Sequence, residues 1–326
     1  MLDVAPWQTW GTTTATLMPV LQAAHVDISF ARLAAILGHS FTFSMAKGGG
    51  EVWQTANIDW GLAFGQLDLL PYELESFNAV LKGAAPAPSP ETLAELKQRA
   101  WRAVIASVER GVPAIAWNAR TLEQRDRGVP GAEWSCLVGY NATDKSYVVR
   151  SQFSPDPWSV PFDGFGYADP INWFCVVVLT KPKPVDAGAV TRRCLQQAVD
   201  YAHGTRFDIK NASYPVAALG FAAYELWKDA FERGDASSAV APMHCAFLIW
   251  AREQASEYCR EIGRAAATDA YAVEVEHLRK LDSVCREASS AGRFDTGSRY
   301  EAIRHLESAL ASDRRAIAAI ESGLNA

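Results

Sequence analysis

The chain lacks several common signatures. Its six cysteines, Cys136, Cys175, Cys194, Cys245, Cys259 and Cys285, form no CxxC pair. That argues against zinc ribbons and thioredoxin-like redox motifs and leaves reduced thiols in apolar strand and helix patterns. No basic-then-apolar leader opens the sequence, and no apolar run reaches the ~18 residues that a membrane helix needs. A basic surplus is also missing: 31 Lys and Arg face 37 Asp and Glu, for a net charge of -6, with no long run of one sign. A nucleic-acid footprint would normally be basic. The glycine run at Gly48, Gly49 and Gly50 is not followed by the lysine of a phosphate-binding loop. Glu274 and His277 have the i, i+3 spacing used by di-iron bundles, but no second such pair exists. The reading is a cytoplasmic protein with no cofactor, no metal, no nucleic acid and no membrane partner. A homo-oligomer is left open.

At 326 residues the chain is long enough for two cores. The first part mixes helix and strand signals. Thr12 opens a helical segment to Ala24, and Ser29 caps a second one that Gly38 ends. The segment G38-H-S-F-T-F-S44 alternates like a strand. Ser89-Pro90-Glu91 is a helix start, because proline suits the first helical position, and Gly111 is a stop. Short apolar strands follow at 112–117, 134–140, 146–150 and 173–179, with a hairpin loop at N141-A-T-D-K145. K181-P-K-P184 reads as a linker. Beyond it the spacing predicts five helices near 188–203, 215–233, 240–263, 268–290 and 298–322. The expected fold is α+β: an α+β domain over 1–184 and an α-helical bundle over 185–326.

Three segments carry a family resemblance. T12-T-T-A-T-L-M-P-V-L21 is similar to the first helix of papain-like domains, C-G-P-A-S-L-A-x-V-L. E109-R-G-V-P-A-I-A-W117 matches a helix end followed by a strand, and E133-W-S-C-L-V-G-Y-N-A-T-D-K-S-Y-V-V-R150 matches the strand pair H-W-V-V-V-V-G-Y-D…V-Y-V-N-D-P. The first half therefore resembles papain-like domains of the bacteriocin-processing-peptidase type. More closely, it looks like the family of butirosin biosynthesis protein H N-terminal domains. The second half resembles the helical domain that often follows them.

The resemblance implies a Cys-His-Asp triad, and this chain has changed all three positions. Thr12 stands at the cysteine place, Glu133 at the histidine place and Ser151 near the aspartate place. A hydroxyl is far less acidic than a thiol and needs a strong base. The expectation is a scaffold that has lost its triad and binds a small molecule or protein as an accessory factor in secondary metabolism. The alternative is an acyltransferase or amide-bond enzyme acting on an acyl-carrier-protein-borne substrate with other residues in the same cleft. Nine of the eleven tryptophans lie before residue 185. Trp10 and Trp134 flank the triad places, and His39 follows the predicted helix stop, so these three are the expected binding residues.

Overall fold

The structure, a computed structural model, describes residues 1–46, 65–81, 87–131, 133–168, 172–205 and 216–324. Gly48–Gly50, and residue 215 at the start of the helix expected over 215–233, lie outside the described residues. In chain order the elements are α1 (Thr12–Ala23), α2 (Phe30–Ile36), β1 (Ser44–Met45), β2 (Tyr72–Val80), α3 (Pro90–Glu109), β3 (Ala114–Trp117), α4 (Leu122–Asp126), β4 (Trp134–Asn141), β5 (Ser146–Arg150), β6 (Trp158–Pro161), β7 (Trp173–Pro182), α5 (Ala187–His203), β8 (Ala218–Leu219), α6 (Phe221–Arg233), α7 (Ala241–Glu261), α8 (Ala265–Ser290) and α9 (Thr296–Leu324). None of the described helices is long and apolar enough to cross a membrane.

Local chemistry accounts for many boundaries. The Ser29 hydroxyl accepts the Arg32 N–H and the Ser89 hydroxyl accepts the Thr92 N–H, so each begins a helix. Gly204 and Gly234 end α5 and α6 in the left-handed conformation that glycine adopts without strain.

The chain divides into two compact units. One comprises Met1–Ile28 with Leu70–Val185, and the other Ser29–Leu69 with Asp186–Ala326. The sequence reading cut the chain once, between residues 184 and 185. The segment 29–69 instead belongs with the helices, because α2 packs on α5 and α7, and β1 pairs with β8. These partners lie well over a hundred residues away, and no local pattern announces them.

In the first unit a six-stranded antiparallel sheet has the order β2-β7-β3-β4-β5-β6. Strand alternation sends Cys136 to one face, where its thiol meets the Thr16 carbonyl of α1 at 3.7 Å. Leu137 points to the other face and clusters with Trp101 and Val104 of α3. The sheet is thus covered by α1 on one side and α3 on the other. Two strands, β2 and β6, were not read from the sequence. Only Phe77 is buried in β2 and only one of the four residues of β6, and the short alternations Tyr72-Glu-Leu74-Glu and Trp158-Ser-Val160 were passed over. Conversely, the strand read at 38–44 is only the two residues of β1. Gly38, at φ 83°, starts a turn in which Phe41 and Thr42 both donate to its carbonyl. Strand β7 runs on to Pro182, opposite Tyr72 at an irregularity of the ladder, so the linker proline ends a strand.

Lys97 on α3 is buried at 3 % exposure. Its ammonium donates to the carbonyls of Asp163 (2.5 Å) and Phe165 (3.2 Å) and lies 4.4 Å from the centre of the Tyr167 ring. Burial lowers its pKa to about 8. Lys97→Met should orphan both carbonyls and cost roughly 1–3 kcal/mol. Hydrogen exchange should then quicken in 163–167 more than in the rest of the first unit.

The second unit is a bundle in which α8 packs on α7 and α9, and α9 on α5 and α6. Its core includes Phe43, Trp227, Phe231, Leu248, Leu281 and Leu306. Inside lies a charged group. Arg252, 2 % exposed, donates to Glu274 (3.0 Å), Asp313 (3.2 Å), the Tyr224 hydroxyl (3.3 Å) and the Ser40 carbonyl (3.0 Å). Tyr224 in turn donates to Glu274.

Candidate functional site

Thr12 is the first residue of α1, and Gly11 caps the helix without a side-chain bond. Pro19 lies inside the same helix and has no N–H to give the Ala15 carbonyl one turn back. The Trp7 N–H takes that carbonyl instead, at 3.0 Å. A helix defect thereby anchors the segment that precedes the helix. A second anchor is Gln152, whose carbonyl accepts from Gln8 (3.0 Å) and whose side chain accepts the Thr9 N–H (3.3 Å).

These bonds fix which end of the sheet the helix start approaches. Arg150 pairs with Cys136 across β5 and β4. Gln152 follows Arg150 by two residues and Trp134 precedes Cys136 by two, so the segment leading into Thr12 is tied to the end of the β4–β5 pair at which Trp134 begins β4. One turn into α1, the Thr16 hydroxyl donates to the Trp134 carbonyl at 3.2 Å. The places matched to the triad nucleophile and base, Thr12 and Glu133, therefore lie toward the same end of the α1–β4 pair.

Glu133 immediately precedes β4, and its carbonyl accepts the Asn118 N–H at 2.8 Å. Removal from water raises its carboxyl pKa to about 8, and the Arg120 charge offsets only part of this. The carboxyl is mostly protonated at neutral pH and can donate a hydrogen bond there. Arg120 is itself held, by the Asn118 side chain at 3.0 Å and the Val129 carbonyl at 2.5 Å. Asn118 is buried at φ 47° and donates to the Ala168 carbonyl. Sequence reasoning missed Arg120, Asn118 and Gln152. Their roles depend on partners brought up by the sheet, and the only local hint was the polar break N118-A-R120 after an apolar strand.

Ser151 is buried after β5, and its hydroxyl accepts the Phe153 N–H at 3.2 Å, a local turn bond. Trp10 is 40 % exposed, as is Trp7, and Phe153 is 54 % exposed. With 8–9 tied to 152, these three aromatic side chains flank one hydrogen-bonded junction. Two of the expected binding residues are corrected. Trp134 has no exposed surface: it packs against Trp117 (5.7 Å between ring centres) and Trp173 (5.9 Å), so it belongs to the core. His39 belongs to the second unit, where it is buried 6.3 Å from the Trp250 ring, with its pKa lowered to about 4 by burial. It is a neutral interior histidine.

All six cysteines are buried. Burial pushes the thiol pKa of Cys194 to about 11 and that of Cys259 to about 12, and raises Cys136 and Cys175 as well. The Glu274–His277 pair is split: Glu274 is consumed by Arg252, and His277 lines a groove. Among the described residues no group of three or more His, Cys, Asp or Glu is placed to hold a metal. Compared with known proteins, the chain matches no family model and no curated protein.

Proposed function

We propose that the first unit is a papain-like scaffold in which Thr12, Glu133 and Ser151 occupy the places of a lost Cys-His-Asp triad. In this reading the protein is a cytoplasmic binding or accessory factor for a small-molecule or acyl-carrier-borne ligand. The observation that carries it is the bond from the Thr16 hydroxyl, one turn into α1, to the Trp134 carbonyl at 3.2 Å, next to Glu133. A carboxyl with a pKa near 8, toward the end of the sheet where α1 begins, is a hydrogen-bond donor at neutral pH. It takes the place where a triad would need a base for the nucleophile. The tie between the α1 start and the Trp134 end of β4 supports the shared register of the two motifs. Exposed Trp7 and Trp10 supply apolar contact area beside it.

One observation favours a second reading. A carboxylate released only near pH 8 is a far stronger base than an ordinary glutamate, and it would suit acyl transfer through the Thr12 hydroxyl. Turnover of an acyl thioester separates the two. The binding reading predicts no turnover above the buffer rate. It also predicts that ligands found by thermal stabilisation lose that effect in Trp10→Ala and Glu133→Ala. Saturable turnover that rises with pH through about 8 and vanishes in Thr12→Ala would establish the second reading.

Glu133 also predicts a pH dependence of stability. Its folded pKa is raised from 4.5 to about 8, so across that window the fold holds a proton that the unfolded chain has released. Stability falls as pH rises through the window and is flat above it. Glu133→Gln imitates the protonated form and removes this slope. The expected result is a melting-temperature advantage for the variant that is small near pH 5 and largest above about pH 8.

A further inference from the structure

Helices α8 and α9 are joined by a short turn and leave between them an open groove of about 570 Å³. Its walls carry His277 and Lys280 from α8, and Glu301, Arg304 and His305 from α9. The rings of His277 and His305 are 6.2 Å apart. The Arg304 guanidinium is 3.4 Å from His305 Nε2 and 3.3 Å from the Glu301 carboxylate. His277 Nδ1 is shut off from water and has no partner among the described residues.

We propose that this groove binds a phosphate-type oxyanion, with Arg304 and Lys280 as charge partners and His277 and His305 as hydrogen-bond donors. Glu301 competes with the anion for Arg304. The lining sets Lys280 and Arg304 against Glu287 and Glu301. His277 faces Lys280 and Arg315, opposed by Glu276, and His305 faces Arg304, Lys280 and His277, opposed by Glu301. Burial and then these cations lower both imidazole pKa values. An arriving dianion reverses that effect, whereas a metal cation would meet Lys280 and Arg304. The carboxylates are already engaged: Glu287 accepts from Ser283 at 3.3 Å, and Glu301 is paired with Arg304. A two-pronged guanidinium, an ammonium and two imidazoles make up a donor set suited to a tetrahedral oxyanion.

The test is a titration of the full chain with inorganic phosphate at constant ionic strength, following the imidazole NMR signals of its six histidines. His277 and His305 are assigned by the signals lost in H277Q and H305Q. Their signals should shift with saturation and their pKa values should rise, while His25, His39, His203 and His244 stay still. R304Q alters a side chain that is 61 % exposed, which keeps the fold out of the readout. It should weaken binding roughly tenfold. E301Q should tighten binding by roughly two- to fivefold. Linear shifts shared by all six histidines, or a titration unchanged by R304Q and E301Q, would overturn the proposal.

Discussion

Arg252→Met should destabilise the second unit by roughly 3–5 kcal/mol, the usual cost of removing one partner from a buried ion group. The guanidinium is the only cation the group contains, and it serves four acceptors at once. Two carboxylates share it. Desolvation and the neighbouring Asp313 charge raise the Glu274 pKa to about 8, and desolvation raises that of Asp313 as well, so Glu274 tends to keep its proton beside the single Arg252 charge. Without Arg252, Glu274, Asp313 and the Tyr224 hydroxyl all lose the buried donor that holds them. Glu274→Gln provides the control, since it imitates the protonated acid and should cost much less near pH 7. The check is denaturant unfolding of wild type and both variants, followed by helical circular dichroism. Equal losses in the two variants would mean that Glu274 is ionised in the fold.

Trp134→Ala should cost roughly 3–5 kcal/mol, in the range for deleting a large buried aromatic side chain. The side chain is fully buried and touches Trp117 and Trp173. The remaining two rings cannot close over the space without leaving their rotamers. Trp10→Ala, on an exposed side chain, should change stability by less than about 0.5 kcal/mol and act on ligand binding only. The pair of variants separates a core tryptophan from a surface one, a distinction that the sequence did not draw. Denaturant unfolding read by tryptophan fluorescence measures both.

What the sequence made legible is what short-range chemistry decides. Ser29, Ser89 and Gly234 act on their own neighbours, and each marks a helix end where it was expected. The hairpin of β4 and β5 was visible because both strands are apolar and the polar loop between them is short. Strand β2 was hidden because an edge strand buries few residues. Arg252 was unreadable as a core residue: it sits in R252-E-Q-A-S-E, a normal helix surface pattern, and its acceptors come from Ser40, Tyr224, Glu274 and Asp313. The register that matched Thr12 and Glu133 to a triad is compatible with the α1–β4 packing. The burial of Trp134 and the placement of His39 were set by tertiary contacts alone.

The central claim is that Thr12 and Glu133 face each other as a nucleophile and base once did. Its most direct measurement is the pKa of an engineered thiol, read from the pH dependence of iodoacetamide labelling in Thr12→Cys/Glu133→His and Thr12→Cys/Glu133→Gln. The native thiols are buried, so the new cysteine dominates the signal. If the two positions converge, the histidine variant has a thiol pKa at least about one unit below that of the glutamine variant, because an adjacent imidazolium stabilises the thiolate. Equal pKa values in the two variants would contradict the claim and, with it, the papain-like reading of the first unit.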